Sequence, residues 1–293
     1  MKPSNEQNTT KITGHIGGET ENLRSKTISD FGSQWTYFTQ NTGYYASDEF
    51  FDELISPLLS RKDFEGASCA EIGAGTGNIC AMMLRAGASH LTAVEPSDAV
   101  GPLRENLPPF ENRVSVAHVT GENIPQSGFD LVLSIGVLHH IPQPDPVVKA
   151  AYDAIKPGGR MFIWLYGKEG NAAYLAVALP IRAVTRRLPI RVLSGLAYGF
   201  DARLMPLVFL ANRSVKVPLH DYLRDVYGKL SGADRRLVVV DQLKPEWALY
   251  YTEQEARELL ERSGFENVEL HHRSGYSWSV LGQKPGTTAA DGA

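Results

Sequence analysis

The chain has 293 residues, 43% apolar and 21% charged, with a formal net charge of −4. That length suits one large domain with an elaboration or two small ones, and the composition excludes a disordered chain and a general nucleic-acid binder. Two cysteines, Cys69 and Cys80, are too few for a disulfide framework or a zinc site, so no metal is expected.

Residues 1 to about 27 are polar and aperiodic and read as a mobile arm without a signal-peptide core. With no uninterrupted apolar run of the ~18 residues a spanning helix needs, the expected compartment is the cytoplasm. An aromatic segment follows, with a predicted helix from Asp48 to Leu59. From Ala67 strands and helices alternate. "ASCAEIG" is a strand, "NICAMMLRAG" a helix closed by Gly87, and "HLTAVEPS" a second strand. "DAVGPLRENL" is a weak helix, "RVSVAHV" a third strand, and "FDLVLSIGVLHHI" begins as a fourth. "DPVVKAAYDAIKPGG" reads as a helix with Asp145 as N-cap and Pro146 at its first position, and "RMFIWLYG" is a fifth strand. This order predicts a parallel sheet covered on both faces.

The alternation then stops. Residues 168–240 are helical in flavour and broken by Pro180, Pro189, Pro206 and Pro218; Lys168–His220 carries eight Lys or Arg against two Asp or Glu. "TEQEARELLERSGF" is a helix with a Thr252/Glu255 capping box and Gly264 past its end. "ENVELHHR" and "YSWSVLGQK" form a closing hairpin, in which His271 and His272 read as packing or solvated residues. A disordered tail ends the chain. The expected units are thus 1–66, arm and aromatic cap; 67–167, the alternating α/β core; 168–240, basic apolar insertion; and 241–293, the rest of the core.

The chemistry starts at "AEIGAGTGNIC", Ala70 to Cys80. A dinucleotide fingerprint starting at Gly75 would need Gly or Ala where Cys80 stands, which counts against a nicotinamide-dependent oxidoreductase. A Walker loop fails because no Lys-Ser or Lys-Thr follows. What remains is Glu71-x-Gly73-x-Gly75-x-Gly77, suited to a ligand with an amino-acid end and a nucleoside end. The glycines clear side chains from its path, and the acid can pair with an ammonium. Glu95, closing the second strand, is placed to accept ribose hydroxyls.

These residues resemble the class I S-adenosylmethionine-dependent methyltransferases. "EIGAGTGN" is similar to their first motif, "AVEPS" to the acid after it, and "GENIP" to the adenine-side segment. "SIGVLHHIP" and "AIKPGGRMFIWLYG" are similar to the fourth- and fifth-strand motifs. The resemblance implies an α/β fold: a Rossmann-like seven-stranded, mostly parallel sheet with a reversed last strand and helices on both faces. To this it adds an N-terminal cap and a helical insertion after the fifth strand. It implies S-adenosylmethionine as cofactor and S-adenosylhomocysteine as product. Glu71, Gly73, Gly75 and Gly77 would line the methionine end and Glu95 the ribose. Gly121 and Glu122 would flank the adenine, Ser134 of the fourth-strand motif would contact the donor, and Tyr44 would reach it from the cap. Thr120 stands where many relatives carry an Asp, so either Glu122 or a backbone carbonyl serves the adenine amino group.

The implied reaction is in-line methyl transfer to a small molecule, with oxygen as the first choice of acceptor. Nitrogen, carbon, or a binding protein that has lost catalysis are the alternatives. A hydroxyl acceptor needs a base, and His139, ahead of His140, is the candidate on the rim after the fourth strand. The aromatic cap reads either as a lid or as a helix packed on the sheet. The insertion has three readings: a lid over an anionic acceptor, a peripheral contact with a membrane near a lipid-linked acceptor, or a plain helical cap. Nucleic acid is not an expected partner.

Overall fold

In the computed structural model, which describes residues 6–217, 220–244 and 247–286, the predicted strands come together in one sheet. They are β1 (Ser68–Ile72), β2 (His90–Val94), β3 (Val114–Ala117), β4 (Phe129–Ile135), β5 (Ile155–Tyr166), β6 (Glu266–Arg273) and β7 (Ser277–Gln283). Their order is β3-β2-β1-β4-β5-β7-β6, and β7 runs antiparallel to both β5 and β6. The expected seven strands with a reversed last one are present.

Helices cover both faces because neighbouring residues of each strand face opposite ways. Cys69, Leu131, Leu133 and Phe162 pack with Phe51 of α2 (Asp48–Ile55), Met83 of α3 (Asn78–Arg85) and Leu103 of α4 (Val100–Asn106). Ala70, Val132, Met161 and Ile163 point the other way, toward Val147 of α5 (Asp145–Ala154) and Leu259 of α10 (Glu253–Glu261). The Thr252/Glu255 capping box of α10 forms as expected. His272 stacks on Trp278 across the closing hairpin, with ring centroids 4.3 Å apart.

Three local expectations are corrected. Where a mobile arm was expected, the described part from Glu6 belongs to helix α1 (Glu6–Tyr37). The apolar residues Ile28, Phe31, Trp35 and Phe38, three or four apart, give α1 a face that packs over the sheet rim and lines a cavity there. At α5 the N-cap is Pro144, so Asp145 lies in the first turn, where its carboxylate takes Arg262 Nε at 2.8 Å. In the insertion, Pro180 lies inside α6 (Ala172–Thr185) and Pro206 inside α7 (Ile190–Asn212). Both prolines, and the residues four before them, are exposed, so water can serve the carbonyls that lose a donor. Pro189 caps α7, Pro218 lies outside the described residues, and so does the tail from residue 287.

The insertion continues with α8 (His220–Asp225) and α9 (Gly232–Leu243). Leu193 and Ala197 of α7 pack on Val239 and Val240 of α9, with Phe38, the residue after α1, against them. Val208 and Ala211 of α7 pack on Leu223 and Tyr227. Asp201 of α7 is buried and paired with Arg235 Nε at 2.6 Å. The insertion is thus fixed as a wall beside the sheet rim.

Candidate active site

Strand order reverses between β1 and β4, and open α/β sheets hold ligands at the carboxyl ends of such strands. A cavity of about 1270 Å³ lies there, larger than the roughly 300–1,000 Å³ of an ordinary small-molecule pocket. Its floor is the loops after β1, β2 and β4, its roof is α1 and the segment 40–54, and its far wall is the insertion.

The three glycines after β1 all have positive φ, +81°, +52° and +83°, which lets the strand turn sharply into α3. Their reasons differ. A Cβ on Gly73 would sit 2.3 Å from a Val137 methyl, and one on Gly77 would sit 2.6 Å from a Leu103 methyl. Only at Gly75 would it meet the cap, in ordinary contact with the Trp35 indole at 3.5 Å. Gly73 and Gly75 line the cavity. Gly77 does not; it seats α4 against the loop.

Glu71 is 2% exposed yet faces the cavity, and the Cys80 thiol donates to its carboxylate at 2.8 Å. Burial, aided by the charge of Glu95, pushes its carboxyl up to about 8. A thiol is a weak donor, so this carboxylate would gain from an ammonium. Cys80, which spoiled the dinucleotide fingerprint, is what holds it. Glu95 accepts from Gly75 N (2.8 Å) and from Ser97 N (2.8 Å), which fixes its carboxylate at the cavity edge. Gly121 is packed between Val147 and Ile72, and Glu122 forms an ion pair with Arg24 of α1. These groups fit a ligand with an ammonium, a diol and a flat base. Ser134 does not join them: it is wholly buried inside the sheet, donating to the Ile72 carbonyl at 3.3 Å, and is absent from the cavity wall.

Of the aromatic segment, Trp35 from α1 and Phe38, Tyr44 and Tyr45 after it line the cavity, and Tyr37 does not. Asn41 Nδ2 ties the segment down by donating to the Thr76 carbonyl at 2.9 Å. Tyr44 lines the cavity, but its hydroxyl is committed to Glu53 and its ring lies 5.2 Å from Lys229 Nζ. Burial and Glu53 push its phenol up to about 12. Tyr44 therefore joins the cap to the insertion, and its hydroxyl is not free for a donor. Tyr45, part of the aromatic segment read from the sequence, also lines the cavity, where burial and the nearby Tyr222 and Tyr276 push its phenol well above the ordinary tyrosine value.

The histidines exchange roles. His139 is fully buried, stacked on Tyr166 at 3.8 Å, and neither ring nitrogen makes a hydrogen bond. It does not line the cavity, and burial holds its pKa well below the ordinary histidine value. His140 does line the cavity, beside Phe31, with ring centroids 4.7 Å apart. Its Nδ1 pairs with the Trp247 carbonyl at 2.8 Å and therefore carries the proton, leaving a lone pair on Nε2. Burial lowers its pKa and favours this neutral form, opposed by nearby Asp241. Asp241, also missed in the sequence, accepts from Tyr166 Oη (3.0 Å) and from Gln34 Nε2 (3.1 Å), joining β5, α1 and α9.

The far wall does not suit an anionic acceptor. Among the described residues no Lys or Arg of the insertion lines the cavity; Leu193, Ala197, Leu204, Val226 and Leu237 do. Arg182 is instead buried, donating to the Gln242 carbonyl (2.8 Å) and the Tyr250 hydroxyl (2.9 Å). Among the described residues no group of His, Cys, Asp and Glu is arranged to hold a metal.

A family model described as a methyltransferase domain matches residues 44–270. A ubiquinone biosynthesis O-methyltransferase of Sinorhizobium medicae is 32% identical over 135 residues, 45% of this chain and 54% of that protein. The Pseudomonas entomophila protein of the same name is 30% identical over 133 residues, 42% of this chain and 56% of its own. This chain thus spans about half the length of the curated relatives it matches. The solved structure of an S-adenosylmethionine-dependent methyltransferase from Mesorhizobium loti, 14% identical, aligns with a TM-score of 0.48 over 81% of this chain and 98% of that one. With the model matched from the cap to the closing hairpin, and the glycine loop and both acids on one cavity, the chain belongs to the methyltransferase-domain family.

Proposed function

We propose that this protein is a cytoplasmic enzyme that transfers the methyl group of S-adenosylmethionine to a hydroxyl oxygen of a small, largely apolar molecule. The observation that carries the oxygen assignment is His140: a neutral ring on the cavity wall, its Nδ1 tied to a backbone carbonyl and its Nε2 lone pair left to take a proton. The names of the curated relatives support the same acceptor atom.

When bound, S-adenosylmethionine supplies an electrophilic sulfonium methyl. Glu71 would hold its ammonium, Glu95 its ribose hydroxyls, and Gly73 and Gly75 would line its path. The protein's own work is positioning and deprotonation. The apolar wall orients the acceptor, α1 and the 40–54 segment exclude water, and His140 Nε2 accepts the hydroxyl proton as the oxygen becomes nucleophilic. Asp241, fixed by Tyr166 and Gln34, favours the imidazolium that results.

Calorimetric titration with S-adenosylmethionine, S-adenosylhomocysteine and NADH tests the donor; binding of NADH alone would overturn it. His140→Asn, whose amide can still donate to Trp247, is expected to lower kcat by about 10²-fold or more with donor affinity unchanged. Full turnover in that variant would remove the base and reopen nitrogen or carbon as acceptor.

A further inference from the structure

Of the fourteen large hydrophobic side chains that the described residues expose, thirteen lie between Tyr174 and Val215, on α6, α7 and just beyond. Val177, Ile181 and Val184 recur along one side of α6, and Val192, Leu196 and Phe200 every four residues along α7. α7 already buries a different stripe against the protein, and α6 buries Ala178 and Arg182, so among the described residues this is a second apolar face with nothing on it. Contiguous exposed apolar surface of this kind marks an interaction site.

Two further observations say what covers it. Val177, Ile181, Leu196 and Phe200 are both exposed on this face and part of the cavity wall, so the cavity opens here. The charge around it has one sign. Residues 172–217 hold seven basic residues and one acid, and that acid, Asp201, is buried against Arg235. Arg187, Arg191, Arg203, Arg213 and Lys216 are exposed, with Arg213 lying over the Phe209 ring at 4.1 Å.

We propose that the outer face of α6 and α7 docks on an anionic lipid bilayer with the cavity mouth turned into it, so that an acceptor with an apolar tail reaches the site from the membrane. An apolar stripe ringed by arginine and lysine is the pattern of a helix lying in the interfacial plane, with the cations among lipid phosphates. A second copy of the chain fits less well, because its matching face would bring the same positive charges together. By length and mean hydropathy α7 could cross a membrane even though charged residues interrupt its apolar run, but its inner stripe packs on α8 and α9 and carries the Asp201–Arg235 pair. It is therefore a helix that lies on the bilayer. Docking does not depend on the methyl-transfer reading; delivery of the acceptor rests on it.

The test is co-sedimentation with vesicles of phosphatidylcholine, with and without phosphatidylglycerol, in the absence of donor and acceptor. Binding is expected to be at least about tenfold tighter to the anionic vesicles and to weaken with salt. Val184→Asp with Phe209→Asp, neither of which lines the cavity, should abolish it with the thermal midpoint kept. Arg187→Glu with Arg191→Glu should do the same by charge alone. A bimane label on Val177→Cys at the mouth should shift to the blue on vesicles, and one on Glu261→Cys of α10 should not; both native cysteines are buried and will not compete. Wild-type protein left in the supernatant, equal pelleting of all variants, or a stable dimer that the Val184→Asp/Phe209→Asp change dissociates would each overturn the proposal. Loss of donor binding in a separate titration would leave docking intact and sink methyl transfer alone.

Discussion

The two halves of the cavity are built from opposite materials. On the sheet side the wall is backbone, glycine and short acids held within hydrogen-bond distance of one another: Gly75 N on Glu95, Cys80 on Glu71, Gly73 against Val137. On the insertion side it is long apolar side chains on helices, with the few polar groups committed to each other. A wall of the first kind accepts one ligand shape and tolerates few changes. A wall of the second kind sets size and polarity and can be repacked.

The sharpest way to break this contrast is one substitution in each half. Gly75→Val strains the loop at φ +52° and pushes a branched side chain into Trp35, on the wall assigned to the donor. Donor affinity should fall by about a hundredfold or more, roughly 2.7 kcal/mol, as measured by calorimetry. Leu196→Ala, on the mouth, should leave donor affinity alone and change the acceptor KM severalfold. If the two have similar effects on the donor, the halves are not separate.

Glu71 gives the contrast a pH signature. With its carboxyl near 8, Glu71 of the donor-free site is largely uncharged below that value, so affinity for a cationic donor should rise up to about tenfold per pH unit on approach to 8 and then level. Glu71→Gln should bind weakly with a flat profile. Stability runs the other way. The folded carboxyl titrates above its ordinary 4.5, so its contribution is fully present below 4.5 and lost as pH rises through 8. Thermal melts of the donor-free protein should therefore lose more stability across that window than Glu71→Gln, and saturating donor should shrink the difference.

The same contrast explains what was legible in the sequence. The glycine loop could be read because each glycine answers a local constraint, a turn or a close approach, that leaves a mark at one position. Even so, Gly77 and Ser134 follow the family's motifs while serving packing, because a motif does not say which atoms face the ligand. His139 and His140 were indistinguishable in line. The short turn after β4 sends one ring under Tyr166 and the other to the cavity, a choice made by φ and ψ rather than residue type. Ile28, Phe31, Trp35 and Phe38 did carry a helical spacing in the sequence, masked by the polar residues around them. Asp241 acts through neighbours 75 and 207 positions away, Tyr166 and Gln34, and no local pattern could reveal it. The acceptor wall is legible only as composition, since many apolar sequences would build it.

The smallest expected effect concerns the strap between the halves. Arg24 of α1 pairs with Glu122 in the adenine-side segment, while Asp30 of the same helix meets Lys244, just past α9, at 3.1 Å. The Arg24–Glu122 side chains are 28% and 20% exposed, so water screens the pair and its loss should cost no more than about 1 kcal/mol. If the pair clips the cap shut without touching the donor, Arg24→Met should quicken donor association and dissociation together by about threefold and leave Kd nearly unchanged. Stopped-flow binding separates this from competition. If Glu122 is the adenine contact and Arg24 holds it away, the same variant must tighten Kd with an unchanged association rate, and Glu122→Gln must then weaken it.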